Sequence, residues 1–127
     1  GRVVSNFIIQ ALNNKNITIY GSGNQTRSFC YVNDLIDGII KLMSTSKHIN
    51  GPINIGNPKE FSINDLAIKI LKLTKSKSKI IYKRLPSDDP IQRKPDIKKA
   101  NNLLKWRPKI NLEMGLVKTI EYFKSII

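Results

Sequence analysis

The residues whose types and spacing could do chemistry lie in one stretch, ITIYGSGNQTRSFCYVNDL, from Ile17 to Leu35. A short β-rich segment, Ile17 to Tyr20, runs into Gly21-Ser22-Gly23, and glycines there let backbone amides come close to a ligand. Arg27 follows, at the start of a second apolar run of Phe29, Cys30, Tyr31 and Val32. Strand, glycine turn and arginine in this order can hold an anion, because the guanidinium fork matches phosphate oxygens and amides add donors. A phosphorylated small molecule is one reading. The other is a plain hairpin turn with a solvated arginine, and spacing alone favours it, since short motifs often match by chance.

The flanking elements must position these residues. Val4, Phe7, Ile8, Ala11 and Leu12 form one apolar stripe at helical spacing, so a helix is predicted from Gly1 to Asn14. The pattern starts at the first residue with no initiator Met, which points to a chain cut from something longer. Asn33 is the expected cap of a second helix, with Leu35, Ile36, Ile39, Ile40, Leu42 and Met43 as a broad buried face. Ser44 to Gly51 reads as a polar loop, and Pro52 to Gly56 as a brief buried strand. Ser62 should cap a third helix with Ile63, Leu66, Ala67, Ile70 and Leu71 inward, followed by a strand at Ile80 to Tyr82. Pro86 to Pro95 is a polar loop long enough to carry a site. Asp96 should cap a short helix with Ile97, Ala100, Leu103 and Leu104 inward, and the last helix, from about Leu112, should bury Leu116, Val117, Ile120 and Phe123. The fold class is therefore α/β, with about five helices and three or four short strands. No linker marks a second autonomous domain.

A chain of 127 residues, 40% apolar and 24% charged, is of ordinary globular composition and has room for one domain with a core. No apolar run is long enough to span a bilayer and no signal-peptide architecture is seen, so a cytoplasmic location is expected. The single cysteine excludes an internal disulfide, and the single histidine, His48, has no ligand neighbour in sequence, so no metal site is expected. Cys30 reads as a small apolar residue in a strand, Trp106 as an anchor for the last two helices, and Tyr31 and Tyr122 as packing residues. Asp88 and Asp89, beside Pro90, read as turn formers rather than an acid/base pair. The net charge of +13 could mark a nucleic-acid binder. However, 17 of the 22 basic residues are lysine and no aromatic residues are interleaved with them as stacking platforms, so most of this charge reads as solvated helix faces.

Four segments in order, GRVVSNFIIQAL, TIYGSGNQTRSFCYVNDLIDGI, GPINIGNP and DDPIQRKPDIKKANNLLKWRPKINLEMGL, closely resemble the C-terminal portion of the UDP-glucuronic acid decarboxylases. That family belongs to the extended short-chain dehydrogenase/reductases, and the resemblance covers essentially the whole chain. It implies the end of a Rossmann domain plus a small substrate-binding domain. Over residues 1–127 it implies the nucleotide-sugar-binding portion, with the N-terminal NAD-binding portion absent. By the same resemblance Val4, Ser5, Asn6 and Phe7 would lie along the UDP moiety, and Tyr20, Gly21 and Ser22 would flank the uracil. Arg27 and Arg93 would hold the diphosphate, and Arg2 would sit at the edge of the NAD site. In such enzymes NAD oxidises the fourth ring carbon of the sugar, the β-keto acid loses carbon dioxide, and the ketone is reduced again to give UDP-xylose. A tyrosine base works there with a lysine that lowers its pKa.

The chain has no G-x-x-G-x-x-G phosphate fingerprint and no Tyr-x-x-x-Lys pair, so no catalytic residue is assigned. It is expected to be inactive alone and to bind NAD poorly. The resemblance also implies a homodimer when intact. Three other readings are kept open: a portion of a related nucleotide-sugar 4,6-dehydratase or epimerase, a basic RNA-binding module, and a degenerate partner without chemistry of its own.

Overall fold

A computed structural model describes residues 3–45, 52–84, 92, 93 and 95–127. Five helices and five short strands occur in the order α1 (Val3–Leu12), β1 (Ile17–Tyr20), β2 (Thr26–Ser28), α2 (Val32–Ser44), β3 (Glu60–Ser62), α3 (Ile63–Thr74), β4 (Ile80–Lys83), β5 (Gln92–Arg93), α4 (Lys98–Leu104) and α5 (Leu112–Ile126). They fall into two compact units, each assembled from separate stretches. One comprises Gly1–Arg27, Phe61–Gln92 and Leu116–Ile127, and the other Ser28–Glu60 and Arg93–Gly115.

In the first unit β1 and β4 pair in parallel, with Ile17 opposite Ile80 and Tyr20 opposite Lys83. Parallel neighbours need a crossover, and α3 leads directly into β4. Helices α1 and α3 pack together and against β1, burying Phe7, Ile8, Ala11, Ile17, Ile19, Leu66, Ala67 and Ile70. Phe7, Ile8 and Ala11 of the predicted α1 stripe, and all of the α3 stripe but Leu71, are thus in the core, while Val4 and Leu12 are half-buried. Asn14 ends α1 in the left-handed region (φ 52°), where a short polar side chain is tolerated. Its Oδ1 accepts from the Lys77 amide at 3.0 Å, and the Ser76 hydroxyl donates to the Ala11 carbonyl at 2.6 Å. The end of α1 is therefore tied to the loop between α3 and β4. Ser62 caps α3 as expected, its Oγ accepting from the Asp65 amide at 3.0 Å.

In the second unit the core is Trp106 with Ala100 and Leu104, flanked by Cys30, Ile53, Ile55 and Ile97. Trp106 is fully buried and its Nε1 donates to the Asp34 carbonyl at 2.9 Å. The Asp34 carboxylate, 5% exposed, accepts through Oδ2 from the Lys109 and Ile110 amides at 2.9 and 2.8 Å. Gly38 stands beside this pair, and a Cβ there would come within 2.8 Å of Ile55 and 3.0 Å of Trp106. So α2 turns its Asp34 and Gly38 side inward. Trp106 anchors α4 against α2, not the last two helices.

Several expectations need correction. The broad apolar face of α2 is exposed, with Ile40 at 55% and Met43 at 80%, because the inward side is taken up by Asp34 and Gly38. Tyr31, not Asn33, is the residue before the helix, and it makes no side-chain cap. Residues 52–56 form no strand, since among the described residues no strand pairs with them. Ile97 precedes α4, while the Asp96 carboxylate accepts from the Lys98 amide at 3.0 Å without being the cap itself. Leu103 and Val117 face outward. Cys30 is half-buried in the connector between β2 and α2, not in a strand. Tyr122 is exposed and meets Phe123 edge-on. The short strands β2, β3 and β5, unforeseen as such, make a three-stranded sheet in the order β3-β2-β5. Arg2, His48, Asp88, Asp89 and most of the two loops that hold the last three lie outside the described residues.

Replacing Asp34 by Ala would leave two part-buried amides without their acceptor, a loss of about 2–3 kcal/mol for a charge-assisted pair. Urea denaturation followed by the fluorescence of Trp106, the single tryptophan, should show the midpoint falling, and falling less for Asp34→Asn.

Candidate functional site

The glycine turn is built by a side chain 40 residues away. Gly21 and Gly23 both adopt positive φ, 84° and 80°, which glycine alone does at no steric cost. Asn64, in the first turn of α3, donates through Nδ2 to the Ser22 carbonyl at 3.1 Å and to Asn24 Oδ1 at 3.3 Å. Its backbone amide donates to the Gly23 carbonyl at 3.0 Å, and its Oδ1 accepts from the Tyr82 hydroxyl at 2.9 Å. The preceding amide, that of Ile63 at the start of α3, donates to the Gln25 carbonyl at 3.0 Å. Gln25, buried, closes the loop from inside by donating to the Tyr20 carbonyl at 2.7 Å. Each of these partners lies in the first unit.

The result is a loop with a fixed path and a polar outer edge. Tyr20 is half exposed at the end of β1, and Ser22 is exposed with its Oγ accepting from the Asn24 amide at 3.2 Å. Arg27, on β2, is half-buried and donates through Nη1 to the Thr26 carbonyl at 2.7 Å. Val4, Ser5 and Asn6 occupy the first turn and a half of α1, Asn6 exposed and the other two half-buried, whereas Phe7 is a core residue at 3% exposure. The candidates from Val4 to Arg27 therefore share one unit. Arg93 lies on β5, the sheet neighbour of β2; its side chain lies outside the described residues.

Three residues that hold the loop escape sequence reading. Gln25 stands midway between Gly23 and Arg27 in the stretch that the sequence singles out, so its place was a usable signal. Asn64 and Tyr82 reach the loop from far along the chain, and nothing local marks them.

Cys30 offers no nucleophile: burial pushes its thiol up from the ordinary range, and the Asp34 charge adds to that. Among the described residues no group of acidic, histidine or cysteine side chains could hold a metal ion, and no helix is long and apolar enough to cross a membrane. An open groove of about 490 Å³ in the second unit is lined by Asn57, Asn101, Arg107 and Lys109 among others, and it contains none of the candidate residues.

Residues 1–56 match the model of the NAD dependent epimerase/dehydratase family. UDP-glucuronic acid decarboxylase 1 of Danio rerio is 51% identical over 123 residues, covering 97% of this chain and 29% of that protein. The chain is homologous to part of an extended short-chain dehydrogenase/reductase. UDP-glucuronic acid decarboxylase 3 of Arabidopsis thaliana is 49% identical, with 98% of this chain and 36% of that protein covered. Among solved structures, UDP-glucuronic acid 4-epimerase of Bacillus cereus, in complex with UDP-glucuronic acid and NAD, superposes with a TM-score of 0.93 at 32% identity, covering 98% of this chain and 40% of that one. The chain thus spans about a third of the length of these curated relatives. The expected α/β class is what the structure has, and it superposes on part of that epimerase.

Gly23→Ala would place a Cβ 2.1 Å from Asn64 Oδ1 at a left-handed position. It should cost roughly 2 kcal/mol or more, read as a lower melting temperature, whereas Ser22→Ala, at an exposed position, should leave the melting temperature within about a degree of the parent.

Proposed function

We propose that this chain is the substrate-binding portion of an NAD-dependent UDP-glucuronate decarboxylase, the enzyme that converts UDP-glucuronate to UDP-xylose. One observation carries the reading: along nearly its whole length the chain is 45–51% identical to proteins named UDP-glucuronic acid decarboxylase, against 24–35% for the epimerases and other solved structures it superposes on. That difference favours the decarboxylase over the dehydratase or epimerase alternative.

The chain's own part is recognition. Tyr20 offers an exposed ring at the end of β1 for the flat face of a uracil, and Gly21 and Ser22 flank it in the pinned turn, the Gly21 amide itself being bonded to the Lys83 carbonyl. Ser5 and Asn6, at the start of α1, supply polar groups along the nucleotide, and Val4 an apolar contact. Arg27 is the diphosphate ligand, its fork steadied by the Thr26 carbonyl, and by the family resemblance Arg93 is the second. Two planar forks suit two phosphates better than the many lysines, whose point charges have no preferred geometry.

NAD supplies the redox chemistry in the whole protein. The residues present do not make its site: they carry no phosphate-cradling glycine run, and Arg2 is the one contact assigned to it. The intact protein is proposed to be a cytoplasmic homodimer whose partner molecule is a UDP-sugar, with nucleic acid and membrane outside its role.

Calorimetry of the chain with UDP tests the assignment. Arg27→Ala should weaken binding about 30-fold, the equivalent of roughly 2 kcal/mol for a lost charged hydrogen bond, and Arg27→Lys should recover only part. Unchanged UDP affinity in Arg27→Ala would refute it. Steeply salt-dependent binding of RNA, indifferent to Arg27, would favour the basic RNA-binding module instead.

A further inference from the structure

The groove of about 490 Å³ in the second unit has a lining of one electrical sign. Arg107, Lys109, Asn57, Asn101 and Asn111 supply its polar side chains, and no carboxylate stands among the described residues that line it. Each asparagine already has its side-chain oxygen engaged. Asn57 Oδ1 accepts from the Lys59 amide at 3.0 Å, Asn101 Oδ1 from Arg107 Nε at 2.9 Å, and Asn111 Oδ1 from the Met114 amide at 2.8 Å. A backbone or guanidinium N–H can be received only by the oxygen of a carboxamide, so these three bonds fix which way each one is turned. What the asparagines have left to give is the Nδ2 amino group, a donor. The bond to Asn101 also orients the Arg107 fork, and Asp34 Oδ2 holds the Lys109 backbone at 2.9 Å, so both cations stand on fixed supports. The exposed lysines from Lys72 to Lys79, by contrast, are point charges on flexible stems.

Donors lining a groove without an acidic partner call for a ligand rich in acceptors and in negative charge. We propose that this groove binds a small phosphorylated organic molecule, at a site that shares no residue with the nucleotide loop. Two cations and three amino donors exceed what the two coplanar oxygens of a carboxylate can take, whereas a phosphate monoester offers three oxygens in a tetrahedral arrangement and up to two charges. Pro58, Ile97, Pro108 and Ile110 line the same groove and give an apolar surface for the body of the ligand. The volume is that of a small-molecule site, more than a bare phosphate ion would fill. The proposal goes beyond the decarboxylase reading and does not rest on it: every residue it uses belongs to the second unit, whereas Tyr20, the glycine turn and Arg27 belong to the first.

Residue-resolved NMR of the isotope-labelled chain tests it, with inorganic phosphate, phenyl phosphate and benzoate titrated at constant ionic strength. Phenyl phosphate should move the Nδ2 signals of Asn57, Asn101 and Asn111 and the Nε signal of Arg107 along one saturating curve. Inorganic phosphate should move the same signals with affinity about tenfold lower, for want of the apolar contacts. Arg107→Ala should weaken phenyl phosphate about 30-fold, as for a lost charged hydrogen bond. Lys109→Ala keeps the backbone bond to Asp34 and should weaken binding several-fold at an unchanged melting temperature, so the test does not hang on how Arg107→Ala folds. Arg27→Ala should leave the affinity of the groove at the parent value. Parent affinity in both groove variants, benzoate bound as tightly as phenyl phosphate, or shifts spread over the exposed lysines without saturation would each overturn the proposal. Because the groove is read with phenyl phosphate and the nucleotide loop with UDP and Arg27→Ala, either proposal can fail while the other stands.

Discussion

Gly23 has no room for a side chain, and that exclusion organises the first unit. The side-chain carboxamide of Asn64 occupies the place a Cβ would take; its hydrogen bonds to Ser22 and Asn24, and that of the Asn64 backbone amide to Gly23, fasten the loop after β1 to the start of α3. Because α3 continues into β4, and β4 returns Tyr82 to Asn64, the loop, the helix and the parallel strand pair constrain one another. A loop fixed in this way keeps its amides and Tyr20 in one arrangement before any ligand arrives, which reduces the ordering cost of binding. The same logic explains why glycine stands at both positive-φ positions while the intervening serine is free to face solvent.

The second unit uses a buried carboxylate for a comparable purpose. Asp34 satisfies two amides of the 105–111 segment and, through its carbonyl, the indole of Trp106. Buried polar groups with every partner present specify one packing, and here they draw the polar side of α2 inward. The apolar stripe is left outside as a consequence. Within the unit the close fit of Asp34, Gly38 and Trp106 holds the helix in this orientation.

What could be read from the sequence follows from the range of each signal. Helix stripes and caps are local, so α1, α3 and the Ser62 cap were predictable, as was β1 leading into a glycine turn. Periodicity reports which face of α2 is apolar but not whether the chain contains anything to cover it, and the expectation of burial failed there. Residues 52–56 failed likewise: their alternation is strand-like, but a strand exists only with a neighbour. The strands β2, β3 and β5 are two or three residues long and carry no alternation to detect. At the site, Arg27 and the glycines stood out by type, whereas Asn64 could be found only once long-range packing brought it to the turn.

Chemical-shift mapping of the isotope-labelled chain during titration with UDP tests most directly the claim that the pinned turn is a nucleotide-recognition loop. Amide shifts concentrated at Tyr20, Gly21, Ser22 and Arg27, saturating together, are the predicted result. Shifts confined to the lysine-rich stretch from Lys72 to Lys79, or none at all, would contradict it.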